Sequence, residues 1–164
     1  PLYSSAASDV YKRQIFKNTV YQKINEGNII VLQGTGRTAL SPPGEFGGKE
    51  DELSPEEMFI GAINGCLMLT FFYFAKKADI EIAAYQSEAA GEVKKGRDGY
   101  AFSKVDVKAK VAVSDNQHIE KIQEISHLAE KYCLVSRSVN CPVRYETDVV
   151  GREEASSVSS GRAE

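Results

Sequence analysis

The strongest constraint in the chain is the run from Ser54 to Lys77, SPEEMFIGAINGCLMLTFFYFAKK. Ser54 suits a helix cap, Pro55 the first helical position, and Glu56 and Glu57 the positive end of a helix dipole. From Met58 to Phe74 nearly every position is apolar, and Lys76 and Lys77 close the run at the negative end. A helix apolar on nearly all sides has to be buried on nearly all sides. The sequence therefore predicts a core helix with Cys66 held near its middle. On the residues alone, Cys66 is either a small core hydrophobe or a reactive thiol.

With 164 residues, 42% of them hydrophobic and 26% charged, the composition is that of one soluble domain large enough to bury a core. A net charge of -3 and the lack of a basic cluster argue against a nucleic-acid partner. The Met58–Phe74 run has 17 residues and contains Gly61, Asn64 and Gly65, short of the roughly 20 apolar residues of a membrane span. No signal peptide is read at the start, so a cytoplasmic protein without a membrane partner is expected. Three cysteines are too few for a disulfide scaffold and are not spaced as a zinc site. The two histidines, His118 and His127, fall in one expected helix, and no metal or other cofactor is expected.

Residues 1–13 read as a flexible leader, 14–150 as one folded domain, and 151–164, rich in Ser, Glu and Gly, as a disordered tail. Strand character runs from Phe16 to Arg37, with Glu26-Gly27-Asn28 as a hairpin turn and Thr38–Leu40 as a third short strand. The Pro- and Gly-rich stretch Ser41–Leu53 is a loop whose glycines at 44, 47 and 48 either turn the chain or admit a close backbone neighbour. After the central helix come a strand over Asp79–Val93, a turn at Lys94–Gly99, and a strand over Tyr100–Val113. In the second strand Val105, Val107, Ala109, Val111 and Val113 alternate with Lys104, Asp106, Lys108 and Lys110, and Phe102 breaks the alternation. An amphipathic helix capped by Asp115 spans Gln117–Tyr132, Leu134–Ser138 is a helical turn, and Pro142–Val150 is the last strand. The fold class is α+β.

Cys133 stands at the exit of the amphipathic helix, where it is either an idle boundary thiol or a functional one. Free N–H groups in a new turn after it would stabilise a thiolate, with Arg137 one turn on. Around Cys66, the small residues Gly61, Ala62 and Gly65 leave room for a second backbone or a small substrate.

SPEEMFIGAINGC resembles the signature of the OsmC/Ohr family, the osmotically inducible and organic-hydroperoxide-resistance proteins. AEKYCLVSRSVNCPVRYE resembles the second block of that family, and Gly44–Gly48 its glycine-rich approach to the helix. The similarity covers residues 16–150. It implies an intertwined homodimer with the apolar helices at its centre and two sites at the subunit interface. It also implies a hydroperoxide substrate and a dithiol or thiol reductant.

By position, the resemblance makes Cys66 the peroxide-reducing nucleophile and Cys133 the resolving thiol. It gives Glu56, ten residues before Cys66, the role of anchoring an activating arginine, although a helix-start glutamate is favourable there without any chemistry. The arginine candidates are Arg37, equally readable as a solvated turn residue, and Arg13 in the leader. Leu134 stands where the better characterised branches have proline, and Cys141 is an extra cysteine. These departures place the chain in a broad OsmC-like branch. A non-enzymatic dimer, associated with stress or binding a small molecule, is the alternative function.

Overall fold

The structure is a computed structural model, and it describes residues 16–23, 27–32, 36–49 and 51–158. It is an α+β fold with two separate three-stranded sheets. One compact unit ends at Glu56 and a second begins at Glu57. The leader and Arg13 lie outside the described residues.

The first unit is an antiparallel meander of β1 (Asn18–Lys23), β2 (Gly27–Leu32) and β3 (Gly36–Ala39). The β-branched run Ile29-Ile30-Val31 forms its middle strand, and Ile30 is buried. The expected turn residues Gly27 and Asn28 are already paired, with Lys23 and Gln22, so the strand starts earlier than its composition suggests. The following loop is tied at its ends. Leu40 bridges Leu53, the Ser41 N–H donates to the Leu53 carbonyl at 3.1 Å, and the Lys49 N–H donates to Ser41 Oγ at 2.8 Å. Gly47 takes φ +80°, the left-handed turn, whereas a Cβ on Gly48 would run into the backbone carbonyl of Pro42. The two glycines thus serve the two uses open to them.

The long helix α1 covers Pro55–Lys77. It ends on Asp79, which has φ +56°, with the Ile80 N–H on the Ala75 carbonyl (3.0 Å) and the Asp79 N–H on the Lys76 carbonyl (3.1 Å). That pair of bonds is a Schellman stop. Then β4 (Ile82–Gly96) and β5 (Gly99–Val113) form an antiparallel hairpin. Its turn is only Arg97-Asp98, because pairing continues through Lys94, Lys95 and Gly96. Helix α2 (Ile119–Tyr132) follows a short 3-10 turn in which Asp115 accepts the Gln117 N–H at 2.9 Å. Strand β6 (Val143–Val150) returns parallel to β5.

The alternation read in β5 is present, with Val105, Val107, Ala109, Val111 and Val113 buried on one face. Phe102 departs from it because Glu92 pairs with Lys104 but Val93 with Phe102, leaving Ser103 as an extra residue. The bulge reverses the parity beyond it and turns Phe102 to the core face, where its ring stacks on Phe59 of α1 at 4.6 Å. Ser103 Oγ donates to the Glu92 carbonyl at 3.0 Å.

One correction concerns the C-terminus. A 3-10 turn at Arg152–Glu154 and the short helix α3 (Ala155–Val158) replace the first part of the expected disordered tail. Helix α3 packs on β4 and β5, and Val158 and Ala112 are both fully buried. Lys110 Nζ of β5 donates to Ser157 Oγ at 3.2 Å, so the order of this segment comes from the sheet it packs on and not from its own composition. Residues 159–164 lie outside the described part.

Gly48→Ala is expected to lower the unfolding free energy by about 1–3 kcal/mol, since its Cβ meets backbone rather than a movable side chain. A thermal melt of the variant beside Gly96→Ala, whose Cβ would make only an ordinary 3.7 Å contact with the Gly99 carbonyl, checks it.

Candidate functional site

Ile63, Leu67, Phe71 and Phe74 recur at four, four and three residues along α1 and are buried against the second sheet and α2. Gly61, Gly65, Leu69 and Phe72 repeat the spacing two residues earlier, on the opposite side of the helix. Leu69 is 67% exposed, Phe72 38% and Tyr73 49%, and a Cβ on Gly61 or Gly65 would meet nothing within 4 Å. The helix is therefore buried on one side and exposed, still apolar, on the other. Burial on all sides, expected from its sequence, is not met within one chain. At 23 residues α1 has the length and apolar content of a membrane span. Its packed face, however, is that of a core helix.

Cys66 sits half-buried on the border between the two faces. Three contacts fix the helix over the sheet around it, and a fourth ties it to α2. Ser87 Oγ donates to Asn64 Oδ1 at 2.7 Å, Phe59 stacks on Phe102, and Phe71 lies 5.4 Å from the Tyr85 ring. Phe74 meets Tyr132 of α2 at 5.7 Å. Thr70 Oγ1 donates to the Cys66 carbonyl at 2.7 Å.

Cys133 caps α2 and is fully buried. Its N–H still donates to Ala129 at 2.9 Å, but its ψ of 115° turns the chain out of the helix. A 3-10 turn at Ser136–Ser138 follows, where a short helical turn was expected. The Cys133 carbonyl accepts the Arg137 N–H and Ser136 Oγ, each at 3.2 Å, and the contact from Arg137 is thus made by its backbone. Ser136, through its N–H and its hydroxyl, and the Cys66 thiol are the neighbours that act on the Cys133 sulfur. Burial pushes the Cys133 thiol above its ordinary range; the two Ser136 donors oppose this, and Cys66 adds to it.

The structure thus brings Cys66 and Cys133 together, both as free thiols. Glu56 stays in the first turn of α1, exposed, ten residues before Cys66. Arg37 is in β3, exposed, paired across the meander with Val31, and belongs to the unit that ends at Glu56. Cys141 precedes β6 and packs half-buried against the core. Among the described residues, no group of three or more His, Cys, Asp or Glu is placed to hold a metal ion.

Two features escaped the sequence reading. Tyr85 and Tyr145 join hydroxyl to hydroxyl at 3.0 Å, and burial, then Tyr85, pushes Tyr145 far above the ordinary tyrosine range. Nothing in their separation of sixty residues announces the pair. Ser136 did leave a signal, the third residue after Cys133, the spacing at which a tight turn returns to its start.

A family model described as OsmC-like protein matches residues 48–148. The uncharacterized protein YmaD of Bacillus subtilis is 23% identical over 128 residues, which is 76% of this chain and 81% of YmaD. An OsmC-like protein of unknown function from Vibrio cholerae superposes with a TM-score of 0.72 at 21% identity, over 84% of this chain and 99% of its own. An organic hydroperoxide resistance protein from Legionella pneumophila gives a TM-score of 0.66 at 15% identity, over 84% and 97%. OhrB of Bacillus subtilis gives 0.59 at 22%, over 82% and 98%.

At neutral pH a maleimide is expected to label Cys66 well before Cys133 in the folded protein, since Cys133 is fully buried with its thiol held protonated. Peptide mass mapping of a labelling time course reads the order.

Proposed function

Because the chain belongs to the OsmC-like protein family, we propose that it is a thiol-dependent peroxidase acting through Cys66 and Cys133. The observation that carries this reading is the nearness of the two thiols, one half-exposed and one fully buried. A peroxide reaches Cys66 first. The Cys66 thiolate attacks the O–O bond, an alcohol or water leaves, and the sulfur becomes a sulfenic acid. The Cys133 sulfur then attacks the Cys66 sulfur, the S–O bond breaks, and water departs with the Cys133 proton. A dithiol or thiol reductant reopens the resulting disulfide by exchange. Ala62 and Leu69, which neighbour Cys66 along the helix face, favour the alkyl group of an organic hydroperoxide over hydrogen peroxide.

In this reading Glu56, by family position, anchors the cation that stabilises the Cys66 thiolate, and Arg37 is the candidate for that cation. The exposed apolar face of α1 is covered by the same face of a second copy, in a homodimer with Cys66 at the seam. The setting is a cytoplasmic stress response.

Cys66→Ser is expected to abolish consumption of cumene hydroperoxide, and Cys133→Ser to allow one turnover and then stall. Arg37→Ala is expected to slow the first oxidation. Stopped-flow peroxide consumption with dithiothreitol as reductant measures all three. Wild-type consumption by Cys66→Ser would leave the non-enzymatic reading in its place. Leu69→Glu places a charge on the exposed face and is expected to convert the dimer to a monomer in light scattering.

A further inference from the structure

The Ser136 hydroxyl donates to the carbonyl oxygen of Cys133 at 3.2 Å and has the sulfur of the same residue as a neighbouring acceptor. A serine hydroxyl carries one proton, so it serves one of them at a time. The Cys133 carbonyl has a second donor, the Arg137 N–H at 3.2 Å, and stays partnered if the hydroxyl turns away. A thiol sulfur is a weak acceptor, whereas a hydrogen bond to an anion is about twice as strong as a neutral one. The preferred acceptor therefore changes with the charge on Cys133.

We propose that Ser136 is the positioning residue for the Cys133 thiolate, its hydroxyl resting on the Cys133 carbonyl while the thiol is protonated and turning onto the sulfur when the thiolate forms. The Ser136 N–H reaches the sulfur as well, as a fixed second donor. In a buried place these donors replace the water that a thiolate lacks there. The proposal rests on the two-cysteine cycle above. There, the thiolate held by Ser136 attacks the Cys66 sulfenic acid, one S–S bond forms, the S–O bond breaks, and the leaving hydroxide takes up the proton that Cys133 lost on ionising and departs as water.

Other groups around Cys133 do not take this part. Cys66 of α1 is the titratable side chain that acts on it, and a neighbouring thiol raises rather than lowers its pKa. Tyr85 of β4 and Tyr145 of β6 share the core but bond to each other. Lys131 and Arg137, adjacent on the chain, are exposed; the Lys131 ammonium lies over the Tyr132 ring.

The test is a titration of Cys133 by 13C NMR in the reduced full-length protein labelled at the cysteine Cβ. Ser136→Ala is expected to raise the Cys133 midpoint by about one pH unit, a tenfold loss of thiolate below it. Ser136→Thr keeps the hydroxyl and is expected to restore the midpoint. An unchanged midpoint in Ser136→Ala, or no restoration by a folded Ser136→Thr, overturns the proposal. In parallel, one equivalent of cumene hydroperoxide is expected to form the Cys66 sulfenic acid at the same rate in both proteins, trapped by dimedone. Disulfide closure in Ser136→Ala is then about tenfold slower, with its pH profile displaced upward. A wild-type protein that forms no sulfenic acid overturns the peroxidase reading instead, and the titration still decides the part of Ser136.

Discussion

The packing of α1 on the second sheet is the interaction on which the rest depends. One face of the helix, from Ile63 to Phe74, is buried among the valines of β5 and the residues of α2. Each large side chain sealed there contributes about 1.5–3 kcal/mol, and no polar stripe competes for the position. The details of the hairpin serve this contact. The bulge at Ser103 brings Phe102 under Phe59, and Gly91 leaves the space that Ile60 and Phe102 fill, since a Cβ there would collide with both. The opposite face has no such partner among the described residues. A helix built this way is half a solution to its own burial problem, which is the physical argument for a second copy.

The same packing determines the state of the thiols. Cys66 reaches the border of the buried face, while Cys133 is sealed behind it at the end of α2. Burial disfavours charge, so Cys133 is kept as a neutral thiol at rest. The turn after it offsets part of that cost with the donors of Ser136. A buried thiol with prearranged donors is inert toward solvent and available to a sulfur placed beside it. The phenol pair of Tyr85 and Tyr145 meets the same demand by the opposite route, each neutral hydroxyl partnering the other.

Much of this was legible in the sequence because it depends on local rules. Proline and glutamates at the start of α1, the period-two valines of β5 and the Asp115 cap each act within a few residues. The bulge at Ser103 was visible only as an exception at Phe102, because a register shift is a property of two strands. The short helix at 155–158 was not legible because its order depends on packing against β4 and β5, where Val158 is fully buried. Cys66 and Cys133 were singled out by a family resemblance, not by any spacing between them.

By itself, the sequence determined which segments become helix and strand, and that one helix had to be a core element, since periodicity and composition are properties of a single segment. Only the tertiary structure decided that this helix is covered on one face among the described residues, that Cys66 lies at the edge of that cover, and that Cys133 lies near it from inside with Ser136 beside Cys133. The reason is that burial and hydrogen-bond reach are set by which elements stack. A strand or helix carries no record of its neighbours beyond the pattern of its own faces.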